Sequence, residues 1–180
     1  MSSCVHPDRE RFKAELARGL VVEMIAQIAI RSSYGIESRI VDTDREYRGE
    51  TWKPGESDPG DLELEDGRRL EVSRIRKWTA LRFPHREVMV CNCHKWERAQ
   101  VRPVAFMLFS ARAEHFVVIP DFTSPHWREI TFAGGGGWDR QRRAYLVETQ
   151  HVTFVRDWGR RCDSVDRELL RELRSQIEGG

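Results

Sequence analysis

A chain of 180 residues, 39% hydrophobic and 33% charged, carries enough apolar material for one packed domain beneath a heavily charged surface. Its 30 Lys and Arg against 29 Asp and Glu leave a formal net charge of +1, which excludes binding to polyanions through bulk charge and confines any such contact to a local patch. The longest apolar stretches, residues 20–25 and 104–109, are too short to span a membrane, and the first ten residues lack a charged-then-apolar signal layout, so a cytoplasmic protein with no membrane partner is expected.

Pro7 and Asp8 are start signals for a long helix expected over 7–33, where Phe12, Leu16, Leu20, Val21, Ile25, Ile28 and Ala29 keep helical spacing and Gly35 follows as a C-cap. The second half of this helix is apolar nearly all round and is expected to be buried, with Glu23 in its midst. A carboxylate in such surroundings needs a partner or a metal. Strand segments are expected at 36–43, 61–64, 68–76, 87–93, 104–110 and 116–119, with a polar stretch through Trp52-Lys53-Pro54-Gly55 and a short helix at 94–100. The glycines at 134–137 read as a loop, and late strands are expected at 145–150 and 152–155. A final helix over 163–177 places Leu169, Leu170, Leu173 and Ile177 on one face. The fold class is therefore mixed α/β (α+β), a single domain over 1–180 with its core at about 11–120.

Cys4, Cys91, Cys93 and Cys162 read as reduced thiols. Cys91-Asn92-Cys93-His94 fits zinc spacing poorly, and the plainer reading is a strand carrying two small buried side chains. His85, His94, His115, His126 and His151 form no spaced metal motif, and the chain has no nucleophile elbow, Walker loop or dinucleotide fingerprint.

The segment Asp61-Leu-Glu-Leu-Glu-Asp-Gly-Arg-Arg-Leu-Glu71-Val-Ser73 carries the chemistry. A two-residue Asp66-Gly67 turn would set Leu62 and Leu64 on the opposite face from Leu70 and Val72. A three-residue Glu65-Asp66-Gly67 turn with Gly67 left-handed brings all four to one face, and that register is expected. The other face then carries Asp61, Glu63, Arg69, Glu71 and Ser73, with Asp61 and Glu71 roughly 5 Å apart at Cβ. Facing carboxylates repel unless a cation lies between them, and Mg²⁺ takes one or two carboxylates and keeps room for water and phosphate. A solvated acidic hairpin accounts for the same residues without a site.

Asp61, a turn, then Glu71-Val72-Ser73 resembles the PD-(D/E)XK nuclease motif, in which an acidic residue precedes Glu-x-Lys on the next strand. The order of helix, strand, acidic hairpin, strand, short helix and strand is also similar, over residues of about 11–120. The resemblance implies a restriction-endonuclease-like core and Mg²⁺- or Mn²⁺-dependent cleavage of DNA, with RNA as the alternative substrate. It implies Asp61 and Glu71 as metal ligands and Glu23 as the acidic residue of the upstream helix. Ser73 stands where the family has lysine. Lys95 and Lys77 are the candidates to replace it, with Arg74 and Arg76 expected to point to the other face. The alternative is a catalytically silent nuclease-like domain that binds nucleic acid or protein. Arg140, Arg142, Arg143, Arg156 and Arg160, near Trp138 and Trp158, are the expected nucleic-acid contacts, and a homodimer is a further possible partner.

Overall fold

In the computed structural model, residues 9–41, 61–99, 101–133 and 141–178 are described. Expectations for Cys4, Pro7, Asp8, Arg140, 52–55 and the glycines at 134–137 lie outside them. Helix α1 spans Arg9–Tyr34 and ends where Gly35, at φ 65°, takes the left-handed conformation and donates to the Arg31 carbonyl at 2.9 Å. Its apolar second half is buried as its composition requires, with Val22, Ile25, Ala26, Ile28, Ala29 and Ile30 in the core. Among the described residues, no helix is long and apolar enough to cross a membrane.

The strands are β1 (Ser38–Ile40), β2 (Leu62–Leu64), β3 (Arg69–Arg74), β4 (Glu87–Asn92), β5 (Ala105–Phe109), β6 (Phe116–Pro120), β7 (Arg128–Ala133), β8 (Gln141–Glu148) and β9 (Thr153–Val155). Helix α2 (Cys93–Arg98) follows β4 directly, and helix α3 (Ser164–Glu178) ends the described chain. A six-stranded sheet runs β1-β2-β3-β5-β6-β9, with β3 and β5 parallel and its other pairs antiparallel; β4-β8-β7 form a separate antiparallel sheet.

The alternation along β5 shows how the layers stack. Ala105, Met107 and Phe109 face a core shared with α1 and α3, while Phe106 and Leu108 face a second core shared with Val88, Val90, Cys91 and Val147 of the smaller sheet. The molecule is a mixed α+β fold of three layers: helices, the six-stranded sheet and the three-stranded sheet. Arg31 ties α1 to α3 through Asp166, at 2.5 Å, and both belong to the helical layer.

Several boundaries differ from the sequence reading. Strand β1 has three residues of the expected 36–43, and β8 begins at Gln141 rather than at 145. Strand β7 was not expected; it exists through its pairing with β8. On α3, Leu170, Leu173 and Ile177 are buried but Leu169 is 38% exposed. Asp166 takes the fourth buried position because Arg31 neutralises it there.

Candidate active site

The β2–β3 hairpin has the three-residue turn. Leu64 accepts from Gly67 N at 2.9 Å and donates to Arg68 O at 2.9 Å, while Gly67 sits at φ 82°. Leu62 is paired with Leu70 and Glu63 with Arg69. Leu62, Leu64 and Leu70 are buried in the helix-side core, with Val72 packed against it. Four apolar side chains on one face thus fix which face receives the acids. That opposite face looks toward the three-stranded sheet.

Asp61 immediately precedes β2, outside the paired positions, and its backbone leaves the regular register: Asp61 N donates to Leu70 O at 3.1 Å, and Val41 N donates to Asp61 O at 3.0 Å. The Asp61 carboxylate reaches over the strand edge, where Oδ2 accepts from Val72 N at 2.6 Å. Glu71 is 8% exposed and forms an ion pair with Lys95, which α2 delivers from the end of β4. An ammonium at this carboxylate meets the requirement that a buried charge be paired. The neighbouring Cys91 thiol is pushed up to about 12 by burial first and then by the Glu71 charge, with Lys95 opposing.

Glu71, Ser73 and Lys95 line a cavity of about 510 Å³ between the two sheets, together with Asn92, His85 and the apolar Phe83, Phe106 and Leu146. Ser73 and Arg74 also line a smaller cavity, of about 210 Å³, with Arg18, Glu23 and Arg76. Glu23 is 5% exposed and reaches β3 from the helix side, at Val72–Ser73, while Glu71 projects from the other face. Val72, Ser73 and Arg74 line both spaces.

The other predicted residues separate clearly. Lys77 does not continue the strand, which ends at Arg74; it sits exposed in a turn, so it does not supply the missing lysine. Arg74 does face the helical side, where it donates to Ile177 O at 3.0 Å. Its pKa is lowered by burial, then by Arg76 and Arg18. Arg143 is clamped by Glu129, at 2.5 Å, and Glu97, at 2.9 Å, so its role is an ion-pair network on the smaller sheet. Glu129 is held below the usual carboxylate range by this hydrogen bond, and Arg143 is raised by the same contact. Arg142 and Arg156 are exposed on separate segments, and Arg160 lies beside α3.

A second acidic group escaped the sequence reading: Cys93, Glu97 and Glu129 bring ligand-type atoms within 4.8 Å of one another. Their separation along the chain hid them. Arg143 already occupies both carboxylates, and burial holds the Cys93 thiol in its protonated form by raising its pKa.

At the hairpin, too, the carboxylates have partners: Asp61 Oδ2 accepts from Val72 N and Glu71 pairs with Lys95. Comparison with family models, curated proteins and solved structures finds no match for the chain.

Proposed function

We propose that the protein is a metal-dependent phosphodiesterase acting on nucleic acid, DNA first, with the site organisation of a PD-(D/E)XK nuclease. The observation that carries this reading is Lys95 at Glu71: a lysine from α2 stands beside the hairpin acid, while Ser73 holds the motif's lysine position. Asp61 and Glu71 would hold Mg²⁺ or Mn²⁺. Such an ion supplies charge stabilisation at phosphorus and an acidified water.

The chain's own groups have separate tasks. Lys95 holds its proton at Nζ and offers positive charge to the phosphoryl oxygens, as the motif lysine would. The exposed Ser73 hydroxyl would offer a hydrogen bond to the phosphate from the same strand face. Glu23 positions the β3 edge from the helix side. The low-dielectric wall formed by Phe83, Phe106 and Leu146 strengthens these electrostatic contacts by excluding water.

A silent binding module is the second reading, favoured by the same ion pair, since Lys95 already satisfies Glu71. The experiment is incubation of plasmid and single-stranded DNA with the protein in Mg²⁺ or Mn²⁺. The nuclease reading expects cleavage that falls by about 10² or more in Asp61→Ala and in Lys95→Ala. Bound Mn²⁺ without cleavage by the wild type assigns the domain to binding alone.

A further inference from the structure

Helix α3 carries a second pattern beside its apolar face. Arg167, Arg171 and Arg174 recur at positions i, i+4 and i+7, which stacks them along one stripe. Arg160 of the 3₁₀ turn Trp158–Arg161 faces that stripe across a groove of about 770 Å³. Four arginines line the groove against two acids, Glu114 and Asp157, and Glu168 on the same helix pairs with Arg171 at 2.5 Å. Counting all three acids, the groove still carries one more positive than negative group.

The groove is built rather than incidental. Gly159 lets the turn approach α3: a Cβ there would lie 3.1 Å from Leu170 Cδ2 and 3.4 Å from an Arg174 guanidinium nitrogen. Arg174 stacks over Trp158 at 5.4 Å and donates to Ala113 O at 2.9 Å, which fixes the floor. Of the two non-glycine residues at positive φ among the described residues, Asp157 (φ 48°) lines it and Ala113 (φ 54°) lies buried beneath, accepting from Arg174. Backbone held in that region costs of order 1–3 kcal/mol unless the surroundings enforce it, and such positions gather at functional sites.

The turn at 111–113 also receives an arginine from β3. Arg74 donates to Ala111 O, two residues from the Arg174 acceptor, and Arg74 lines the small cavity with Arg18, Arg76, Glu23 and Ser73. Arginines from α3 and from β3 thus meet this turn on the helical side of the six-stranded sheet. Guanidinium forks match phosphate oxygens in geometry as well as charge, and an array of them suits a repeating phosphate rather than a single anion.

We propose that the groove between α3 and the Trp158–Arg161 turn binds the phosphodiester backbone of a nucleic acid. This binding does not depend on the proposed function. Arg142 and Arg143, on the three-stranded sheet, take no part.

The test is fluorescence anisotropy with labelled single-stranded and duplex oligodeoxynucleotides in EDTA across a salt series. EDTA separates this claim from the metal site, whose failure would be seen by Mn²⁺ titration of the same protein. The combined Arg160→Ala and Arg171→Ala variant alters two exposed side chains and is expected to melt like the wild type. It should bind about tenfold or more weakly, with the salt slope reduced by roughly 0.7–0.9 per lost phosphate contact. Glu114→Gln should bind about two- to fourfold more tightly, and Arg142→Ala should be unchanged. Equal binding by the combined variant overturns the proposal. So does binding to phosphatidylglycerol vesicles, lost in that variant, when neither oligonucleotide binds.

Discussion

The two acidic clusters of this protein are built on opposite principles. At Glu97 and Glu129 one guanidinium, Arg143, bonds both carboxylates on an exposed sheet surface. At the hairpin, Asp61 just before β2 bonds the backbone of Val72, Glu71 stands on β3, and the positive partner of Glu71 is an ammonium on a flexible stem. A forked, planar cation satisfies two carboxylates at fixed angles and leaves little for a metal to gain. Lys95 is a point charge on a flexible stem. The contrast separates a two-carboxylate clamp from a single ammonium–carboxylate pair, which under the proposed function would give way to a metal.

The largest expected effect comes from removing that ammonium. Lys95→Met removes the ammonium paired with the carboxylate of Glu71, which is 8% exposed, and should destabilise the metal-free protein by about 1–3 kcal/mol, discounted because the Lys95 side chain is 35% exposed. Denaturant unfolding measures it, and Mn²⁺ should restore part of the loss by occupying the vacated position. A neutral result would place the two clusters in one class.

Next in size is the turn that sets the register of the hairpin. Gly67→Ala meets no atom within 4 Å, so its cost is backbone conformation alone, about 1 kcal/mol at φ 82°. The matching loss of Mn²⁺ affinity should be small if the register holds.

The smallest stability change and the sharpest contrast come from Arg143→Ala. Breaking this solvent-screened network should leave the melting temperature nearly unchanged. It should also create a weak Mn²⁺ or Zn²⁺ site at Cys93, Glu97 and Glu129, detectable by calorimetry where the wild type shows none at that position. Absence of any new site would mean that ligand placement, rather than Arg143, keeps the cluster closed.

The hairpin was legible in the sequence because its information is local. Leu62, Leu64, Leu70 and Val72 share a face in only one of two short-turn registers, and a glycine stands where φ must be positive. The long helix was legible for the same reason. What escaped depends on distant partners. Strand β7 is written in six residues, Arg-Glu-Ile-Thr-Phe-Ala, whose charged and apolar members make sense only when paired with β8. The Arg143 clamp joins residues 46 positions apart, and the strand residues around it alone suggested a nucleic-acid contact. Leu169 looked like a core residue until Asp166, buried against Arg31 of α1, took the place on that face. The division into two sheets follows from layer packing that no single segment encodes.

The account is tested most directly by the melting temperature in millimolar Mn²⁺, measured for the wild type, Asp61→Ala, Glu71→Ala and Glu129→Gln. Binding to the folded state alone raises the melting temperature of the wild type by mass action. The account predicts that this gain shrinks in both hairpin variants and persists in Glu129→Gln. A gain that survives loss of Asp61 and Glu71 but disappears with Glu129 would contradict it and move the metal to the other sheet.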